Sequence, residues 1–461
     1  MGLTVHNVAM AQLWDLGVRG SMLDVVAAWK DALLLVALLL VAWHVRRRPT
    51  VKIADVLAGT YAAIVVVYAL IPQHVLGGDA TTRGEVLALR HHLLPVAAYV
   101  LGRLVWIAWG ERRQLGGVIV LSALVVASVG LLDLAFVSLQ AWRDSGVPSW
   151  YREQLGLEYK GLSGLPENWV YNTGDENNPM RRLVSTFLSP LASAYVLVVA
   201  LIYLVSRPVR VWSTILALLL FAALLYTHTR AALGALVLGL AVLALAQRRI
   251  LPLAAAAAAI VVSAAFLVAY PTIGPSTSYT QEELEFLREN AQQQGDTTSD
   301  PFSGNESSTA SHFRNLRDGI RVVVRHPQGY GLGNAGVTAK RTGLTPLAGE
   351  STYTELGVDA GVAGALAFVL WNLAILVGLW RRESWLAAAF LAVLVIGLQT
   401  DVIGIPWIAV TVWAAAGLTL GRPRPVRGLE VSTMPLVVGA GAVEGETPPG
   451  DTTLPGATVP P

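Results

Sequence analysis

Arginines recur at helical spacing in the segment that follows residue 311. They stand at every third or fourth position, and an apolar residue stands one position before each of them. In a helix this spacing forms an apolar stripe beside a cationic stripe (Phe313, Leu316, Ile320 and Val324; Arg314, Arg317, Arg321 and Arg325). Two interpretations remain open. The arginines form a solvated face on a surface helix, or the helix lies at a membrane–water interface with its guanidinium groups at the depth of lipid phosphates.

Three more arginines lie in or beside apolar segments. Arg230 ends the sequence Thr227–Arg230, which separates two apolar segments with almost no loop, and Arg182 opens another apolar segment. An arginine fixed near a membrane is costly unless it snorkels to water or has an anionic partner. Snorkelling, or an ion pair with a nearby carboxylate, would account for either of these alone. Arg103 lies inside its apolar segment, nearer one end, which is compatible with pairing inside the protein.

A carboxylate and a glycine-rich turn complete the candidate residues. In the run 350–361, Glu350, Tyr353 and Gly357 share one face if the run is helical. Glu350 could act as a general base beside the arginines, or could be a helix N-terminal acid that the macrodipole stabilises. Upstream, residues 326–333 end the arginine-bearing helix at a proline and then alternate glycines. Such a turn can direct N–H groups at an anion, or can be a tight re-entrant connection.

The elements that must position these residues are membrane helices. Of 461 residues, 54% are hydrophobic and only 14% are charged, and the mean hydropathy is +0.55. The apolar residues form long blocks, which excludes a soluble globular protein and disorder over most of the length. The net charge of +2 is too balanced for a nucleic-acid binder. The absence of cysteine excludes disulfides, thiol catalysis, iron–sulfur ligation and cysteine-based zinc sites.

The chain is therefore predicted to be an all-α polytopic membrane protein with about 11–12 transmembrane helices. A bilayer core of about 30 Å needs roughly 20 apolar residues per helix. The spans lie near 30–45, 53–72, 91–109, 115–139, 183–205, 211–227, 231–247, 250–270, 354–380, 384–400 and 402–420. Short basic clusters then fall on one side, at 46–52, 112–113, 207–210, 248–249, 381–382 and 422–427. By the positive-inside rule that side is the cytoplasm.

Two long loops lie on the opposite, external side, at about 140–182 and 271–350. They are expected to contribute the functional site to a transmembrane domain of residues 1–420. The first loop is rich in Trp and Tyr. The second is far longer than a helix–helix connection needs. It contains a predicted acidic helix over 281–294, a flexible polar stretch over 295–311 and then the arginine-bearing helix. Residues 421–461 are predicted to be a disordered cytoplasmic tail.

Taken together, the chain resembles the O-antigen ligase and O-antigen polymerase superfamily, the bacterial membrane glycan ligases of GT-C-like fold. Four stretches carry the resemblance, in the family's order. Residues 182–190 are similar to R-x-x-G-T-F-x-N-P-N, and residues 229–231 to S-R-[GA] at an outer helix boundary. Residues 314–333 are similar to R…W…hP-x-G-x-G-x-G in the large external loop, and residues 350–361 to H-N-x-Y-L-x-x-L-x-E-x-G. The resemblance runs from Arg182 to Leu420.

The resemblance implies a glycosyltransferase of cell-envelope polysaccharide biosynthesis. Its location would be the bacterial plasma (inner) membrane, crossed several times, with the active site facing outside. The implied partners are an undecaprenyl-diphosphate-linked glycan as donor, a glycan or lipid as acceptor, and the lipid bilayer, with no nucleic acid. Family arginines hold the diphosphate, and a loop histidine assists the acceptor hydroxyl. By position Arg230 takes a catalytic role, and substrate binding is assigned to Arg182, Arg314, Arg317, Arg321, His326 and Tyr353.

The sequence departs from the family pattern at the position of the catalytic base. Glu350 replaces the family's histidine, Ser351 its asparagine and Asp359 its later glutamate. Glu350 is therefore the predicted catalytic base, since a carboxylate can accept the hydroxyl proton, particularly if partial desolvation raises its pKa. His312 and His326 are nearby alternatives. Fixed guanidinium groups can neutralise a diphosphate leaving group, so neither a cofactor nor a metal is expected.

A transporter or flippase of a lipid-linked or anionic substrate is the alternative function. It would use the same arginines without forming a glycosidic bond. Broken helices in matching halves and charged residues at mid-membrane depth would favour it. Here the polar residues gather at one face and in one large loop, which favours chemistry at the surface. Within the enzyme interpretation, polymerase and ligase both remain open.

Overall fold

The protein is a bundle of α-helices with two folded loop segments at one end. The structure is a computed structural model that describes residues 1–45, 50–109, 115–173, 175–294, 303 and 307–422. In chain order its helices are α1 (Gly2–Asp15), α2 (Ser21–Ala27), α3 (Trp29–His44), α4 (Ile53–Leu70), α5 (Gln73–Leu76), α6 (Thr82–Trp109), α7 (Leu115–Phe136), α8 (Leu139–Arg143), α9 (Val147–Ser149), α10 (Pro190–Val205), α11 (Val211–Tyr226), α12 (Arg230–Gln247), α13 (Ile250–Ile273), α14 (Gln281–Gln294), α15 (Ser307–Arg325), α16 (Gly336–Lys340), α17 (Thr352–Trp380), α18 (Ser384–Ile396) and α19 (Pro406–Gly421). Two short strands, β1 (Val170–Tyr171) and β2 (Met180–Arg181), pair antiparallel.

The predicted fold class is confirmed: this is an all-α polytopic membrane protein. Each predicted span overlaps one of the α-helices. Within the described residues, six segments are long and apolar enough to cross a membrane by length and composition, namely Ser21–His44, Ile53–Leu70, Leu115–Phe136, Arg230–Gln247, Ile250–Ile273 and Thr352–Trp380. The shorter apolar helices α10, α11, α18 and α19 pack among them.

The span predicted to begin at residue 183 begins instead at Pro190. The preceding residues form a buried turn that includes a 3₁₀ helix over Ser185–Phe187, and Leu188 adopts a left-handed conformation with φ of 52°. Ser189 then caps α10, because its side-chain oxygen accepts a hydrogen bond from the Ala192 N–H at 3.3 Å. Serine followed by proline is a strong helix-start signal. The first family-like stretch is therefore a packed turn rather than part of a helix.

Close packing of α6 against α19 depends on glycine. A Cβ atom on Gly102 would lie 2.1 Å from the Ala414 carbonyl oxygen, and one on Gly417 would lie 2.0 Å from the Tyr99 carbonyl oxygen. Small residues allow helix backbones to approach in membranes, where packing rather than the hydrophobic effect drives association. This contact holds α6 at the centre of the bundle, and α6 supplies residues to the site described below.

Arg103 is paired inside the protein, as its position in α6 suggested. Its guanidinium donates to both carboxylate oxygens of Asp55 at 2.9 and 2.7 Å, and to the backbone oxygens of Thr50 and Leu420 at 2.9 and 3.0 Å. The Tyr99 hydroxyl donates to the same carboxylate at 2.6 Å. Arg103 is only 6% exposed. The pair therefore joins α4, α6 and the end of α19 at the basic-cluster end of these helices.

The two long loops fold against each other. Arg143 of the first loop forms an ion pair with Glu283 of α14 at 2.6 Å, and both side chains are buried. The predicted helix over 281–294 is confirmed as α14. Flexibility over 295–311 is wrong for Ser307–Ser311, which already belong to α15. Residues 295–302 and 304–306, most of the predicted tail (423–461) and the basic residues at 46–48 and 112–113 lie outside the described residues.

The helix α17 is interrupted within its N-terminal half, about two turns after it begins at Thr352. Ala360 and Gly361 are non-helical, and Gly361 has φ of 65°. The glycine-rich turn fills the interruption: the Val362 N–H donates to the Pro327 carbonyl at 2.9 Å, and the Tyr330 N–H donates to the Val358 carbonyl at 2.7 Å. A Cβ atom on Gly329 would lie 2.4 Å from the Gly361 nitrogen. Of the two interpretations of this turn, the structure therefore supports a tight connection packed onto α17.

Candidate active site

A cleft of about 530 Å³ opens where α6, α15, α16 and the start of α17 meet. Three of the four family-like stretches line it. Ser189 comes from the first stretch, Asn315 and Asp318 come from α15, and Glu350 and Glu355 come from the entry to α17. Stretches separated by more than 100 residues thus converge on one concave surface, which makes this cleft the candidate active site.

Glu350 lies at this cleft as half of an ion pair. Its Oε2 atom is 2.8 Å from Nδ1 of His312, and the carboxylate side chain is 44% exposed. Glu350 has φ of 68°, an unusual conformation for a residue other than glycine. Burial would raise its pKa, but hydrogen bonds with His312 and Asn315 and the positive charge of Lys340 outweigh burial and lower the pKa of the carboxyl below its usual value. Desolvation therefore does not raise the pKa of Glu350, although the prediction of Glu350 as the catalytic base was strongest if it did.

The cleft also contains a histidine–aspartate pair that the sequence interpretation missed. Nε2 of His91 lies 3.1 Å from Oδ2 of Asp401, and both residues line the cleft. Beside it, His92 lies 3.0 Å from Asp359, and the N–H of Asn334 donates to Asp359 at 3.1 Å. Asp359, which takes the place of the family's glutamate, is thus a buried anchor for the glycine-rich turn. Adjacent histidines at the start of an apolar span were the signal that could have found this cluster.

Arg182 and Arg230 are brought together by the turn between α11 and α12. Nε of Arg182 donates to the Thr227 carbonyl at 2.8 Å, and Nη2 donates to Oγ1 of Thr229 at 3.0 Å. Arg230 is the first residue of α12. Neither arginine lines the cleft, although Ser189, from the same family-like stretch as Arg182, does.

His228 lies between the two arginines in sequence and is buried as a neutral imidazole. Its ring stacks against Tyr270 with centroids 4.6 Å apart and lies 4.0 Å from the ring of Tyr171. Among the described residues its Nε2 atom has no hydrogen-bond partner. Burial, reinforced by the positive charges of Arg182 and Arg230, lowers the pKa of His228 to about 2. His228 therefore adds no third positive charge beside Arg182 and Arg230.

This buried histidine predicts a pH-dependent stability. Unfolding restores an ordinary histidine pKa near 6.5, so below that pH the unfolded chain binds a proton that the folded protein does not. Stability should then fall by about 1.4 kcal/mol for each pH unit below about 6.5. His228→Phe keeps the aromatic stack and removes the proton. We expect the free energy of unfolding in detergent to depend less on pH between 6 and 5 in this variant, whereas equal slopes would contradict the assignment.

The other predicted site residues do not enter the cleft. Arg314, Arg317 and Arg321 are exposed on α15, and Arg321 forms an ion pair with Asp318 at 2.8 Å. Both ring nitrogens of His326 are engaged, Nε2 with the Leu76 carbonyl at 2.8 Å and Nδ1 with Gln328 at 3.1 Å. The Tyr353 hydroxyl donates to the Leu394 carbonyl at 2.8 Å, which ties α17 to α18.

Three of the four residues of the apolar stripe of α15 are exposed, and only Leu316 is partly buried. Phe313, Ile320 and Val324 are 62%, 49% and 71% exposed. The face that contacts α17 instead includes Gly319, where a Cβ atom would lie 2.9 Å from Cβ of Thr354. Apolar and cationic stripes are therefore exposed together, which is the arrangement that an interfacial amphipathic helix requires.

In the part of the chain that the structure describes, no group of three or more His, Asp or Glu side chains is arranged to hold a metal ion.

The comparison with protein families agrees with the resemblance. Residues 215–369 match the family model described as O-Antigen ligase. The resemblance to the O-antigen ligase superfamily is thereby confirmed. The matched segment contains Arg230, Arg314, Glu350, Tyr353 and Asp359, and it runs from α11 into α17.

The match supports glycan transfer of the O-antigen ligase type as the general function of this multi-pass membrane protein. The O-antigen ligase segment does not include Arg182, His91 or Asp401, which the fold brings to it from outside. No curated protein matches the chain.

Proposed function

We propose that this protein transfers a glycan from an undecaprenyl-diphosphate donor to a glycan or lipid acceptor at the external face of the bacterial plasma membrane. The observation that carries the proposal is the convergence of three family-like stretches on one cleft, while hydrogen bonds of Arg182 to Thr227 and Thr229 hold the fourth stretch against the first. The transmembrane domain (1–420) supplies the scaffold, and the long loops supply the site for surface polysaccharide assembly.

In this proposal Arg182 and Arg230 hold the donor diphosphate. The acceptor hydroxyl oxygen forms a bond to the anomeric carbon of the donor glycan while the bond from that carbon to the diphosphate oxygen breaks. The leaving diphosphate gains negative charge, and a fixed guanidinium placed where that charge develops lowers the barrier without needing reorganisation. The planar fork of arginine suits phosphate oxygens better than the point charge of lysine does. This chemistry can proceed without a metal ion.

Glu350 and His312 together accept the hydroxyl proton. A carboxylate with a lowered pKa is a weak base by itself, but it orients an imidazole by accepting the Nδ1–H hydrogen bond and stabilises the imidazolium that forms. Glu350 lines the cleft, where the acceptor is expected to enter, and His312 is hydrogen-bonded to it. The proton then leaves to water after the polyprenyl diphosphate dissociates.

The function is tested with purified protein, a polyprenyl-diphosphate glycan and candidate acceptors, measuring both released polyprenyl diphosphate and glycan length. A ladder of longer lipid-linked chains identifies a polymerase, and a single transfer to a distinct acceptor identifies a ligase. Both outcomes support the proposal. If no donor releases diphosphate while the protein moves lipid-linked glycan across vesicle membranes, the protein is a transporter and the proposal is wrong.

Glu350→Gln is the matching test of the base. It keeps the shape of the side chain but cannot hold His312 as a charged partner, so kcat is expected to fall about 100-fold or more, within the range for general base catalysis. The measurement is the initial transfer rate across pH at matched protein levels in the membrane. Glu153→Gln is the control, because Glu153 is an exposed acid in the other long loop. Full activity of Glu350→Gln across pH would remove Glu350 from the mechanism.

A further inference from the structure

A second group of cations lies at the cleft, separate from Arg182 and Arg230. Arg90 of α6, Lys340 at the end of α16 and Arg341 directly after it all line the cleft. Nε of Arg341 donates to the Leu155 carbonyl at 3.3 Å, which fixes the arginine against the first long loop. Lys30 and Arg83 stand close to this edge, within electrostatic range of Arg341 or Arg90. We call Arg83, Arg90, Arg341 and Lys30 the basic edge.

The basic edge carries more positive than negative charge. The carboxylates near it are Asp31, whose Oδ1 is 3.4 Å from Nε of Arg90, and Asp24. Asp31 thus partly compensates Arg90 and Asp24 partly compensates Arg341, while Arg83 and Lys30, whose Nζ lies 2.6 Å from Nε2 of His6, add further positive charge. His6 adds no charge, because burial and the neighbouring positive charges of Lys30 and Arg90 lower its pKa to about 4. Burial and the charges of Arg90 and Arg83 likewise lower the pKa of Arg341.

The carboxylates of the cleft itself do not balance this excess, because they have other partners. Asp318 is paired with Arg321, Glu350 with His312 and Asp401 with His91. Lys340 is the cation whose charge acts on Glu350 and Glu355. Arg90 and Arg341 therefore present an excess of positive charge to the cleft, and an anionic ligand would relieve their mutual repulsion.

This excess lies on the side of the membrane where it is least expected. Lysine and arginine are normally enriched in cytoplasmic loops, whereas the basic edge lies with the long loops that we place outside. Topology alone does not explain it. Arginine forks bind phosphate oxygens in a bidentate manner, and a cleft of about 530 Å³ has the size of an ordinary ligand site.

We propose that the basic edge binds the phosphate groups of the acceptor, which is itself a diphosphate-linked glycan. This inference rests on the proposed glycan transfer. The site then has two anion-binding groups, Arg182 with Arg230 for the donor and Arg90 with Arg341 for the acceptor, and the Glu350–His312 pair lies at the cleft that the acceptor enters. Two diphosphate-linked substrates are what a polymerase requires, so the basic edge assigns this protein to the polymerase type.

The experiment compares two acceptors that carry the same glycan, one on polyprenyl diphosphate and one on a neutral lipid. Arg341→Gln and Arg90→Gln are assayed with a fixed donor in phosphatidylcholine vesicles. We expect the KM for the diphosphate acceptor to rise about 10- to 100-fold, as expected for the loss of a hydrogen bond between charged groups. The KM for the neutral acceptor and the KM for the donor should be unchanged. Arg341→Lys should restore part of the loss, and Arg152→Gln, an exposed arginine of the first long loop, is the control.

The outcomes separate this inference from the proposed function. If wild-type protein transfers glycan to neither acceptor and releases no polyprenyl diphosphate with any other candidate acceptor, the proposed function fails. If wild-type protein is active but the variants raise the KM for both acceptors equally, or for neither, the basic edge does not bind acceptor phosphate and the inference is wrong. Anionic phospholipid vesicles could stimulate transfer by the wild-type protein. If loss of this stimulation is the only effect of the variants, the basic edge binds lipid headgroups instead, and the inference is also wrong.

Discussion

Replacement of Arg230 by alanine is expected to lower the rate of glycan transfer about 100- to 1000-fold while the protein level in the membrane is retained. This is the usual loss when one preorganised donor to a developing negative charge is removed. Arg230 is half-buried at the first position of α12, next to the turn that Arg182 holds through Thr227 and Thr229. The measurement is release of polyprenyl diphosphate by purified protein at saturating acceptor.

Arg230→Lys and Arg152→Ala are the controls for this result. Lysine keeps the charge but not the bidentate fork, so an intermediate rate is expected. Arg152 is 66% exposed in the first long loop and should be replaceable without loss of rate. If Arg230→Ala transfers glycan at the wild-type rate, the diphosphate is held elsewhere.

Loss of Asp55 is expected to cost about 3–5 kcal/mol of stability, the range for breaking one side of a buried ion pair. Asp55→Leu would leave the Arg103 guanidinium with only the backbone oxygens of Thr50 and Leu420, in a site where Arg103 is 6% exposed. The Tyr99 hydroxyl would lose its acceptor as well. The measurement is the free energy of unfolding in detergent micelles.

A double variant distinguishes the loss of the ion pair from the cost of leaving the Arg103 charge buried without its partner. In Asp55→Leu with Arg103→Leu no charge is left uncompensated, and the double variant should be more stable than Asp55→Leu alone. Replacement of Glu153 by Gln, at an exposed ion pair, should change stability by no more than about 0.5 kcal/mol. Equal stability of Asp55→Leu and wild type would show that Arg103 finds other compensation.

The helices could be predicted from hydropathy and charge because both signals depend only on residues that are close together in the sequence. A run of about 20 apolar residues must satisfy its own backbone hydrogen bonds in lipid, so it becomes a helix whatever its neighbours are. The start of α10 was misplaced because the residues from Leu183 to Leu188 are apolar enough to continue the span, while packing of the turn against other helices decides where the helix begins.

The candidate site was predictable only in part. The family-like stretches predicted Glu350, Arg230 and Arg182 as site residues, and the structure brings these stretches to one end of the bundle. The orientation of α15 could not be read from its stripes, because an apolar stripe can face either the protein or lipid, and only the packing of Gly319 against Thr354 decides between them. The arginines of that stripe accordingly lie outside the cleft.

The sequence by itself determined the membrane class, most of the apolar helices and the resemblance to the O-antigen ligase superfamily, since these depend on composition, local periodicity and residue order. Only the tertiary structure placed His91 against Asp401, Glu350 against His312 and Arg341 near Arg90. These partners are distant in the chain, and no local pattern encodes which of many polar side chains will share a cleft. Their pairing is decided by how the helices pack, because each buried or crowded charge must find compensation within reach of its own element.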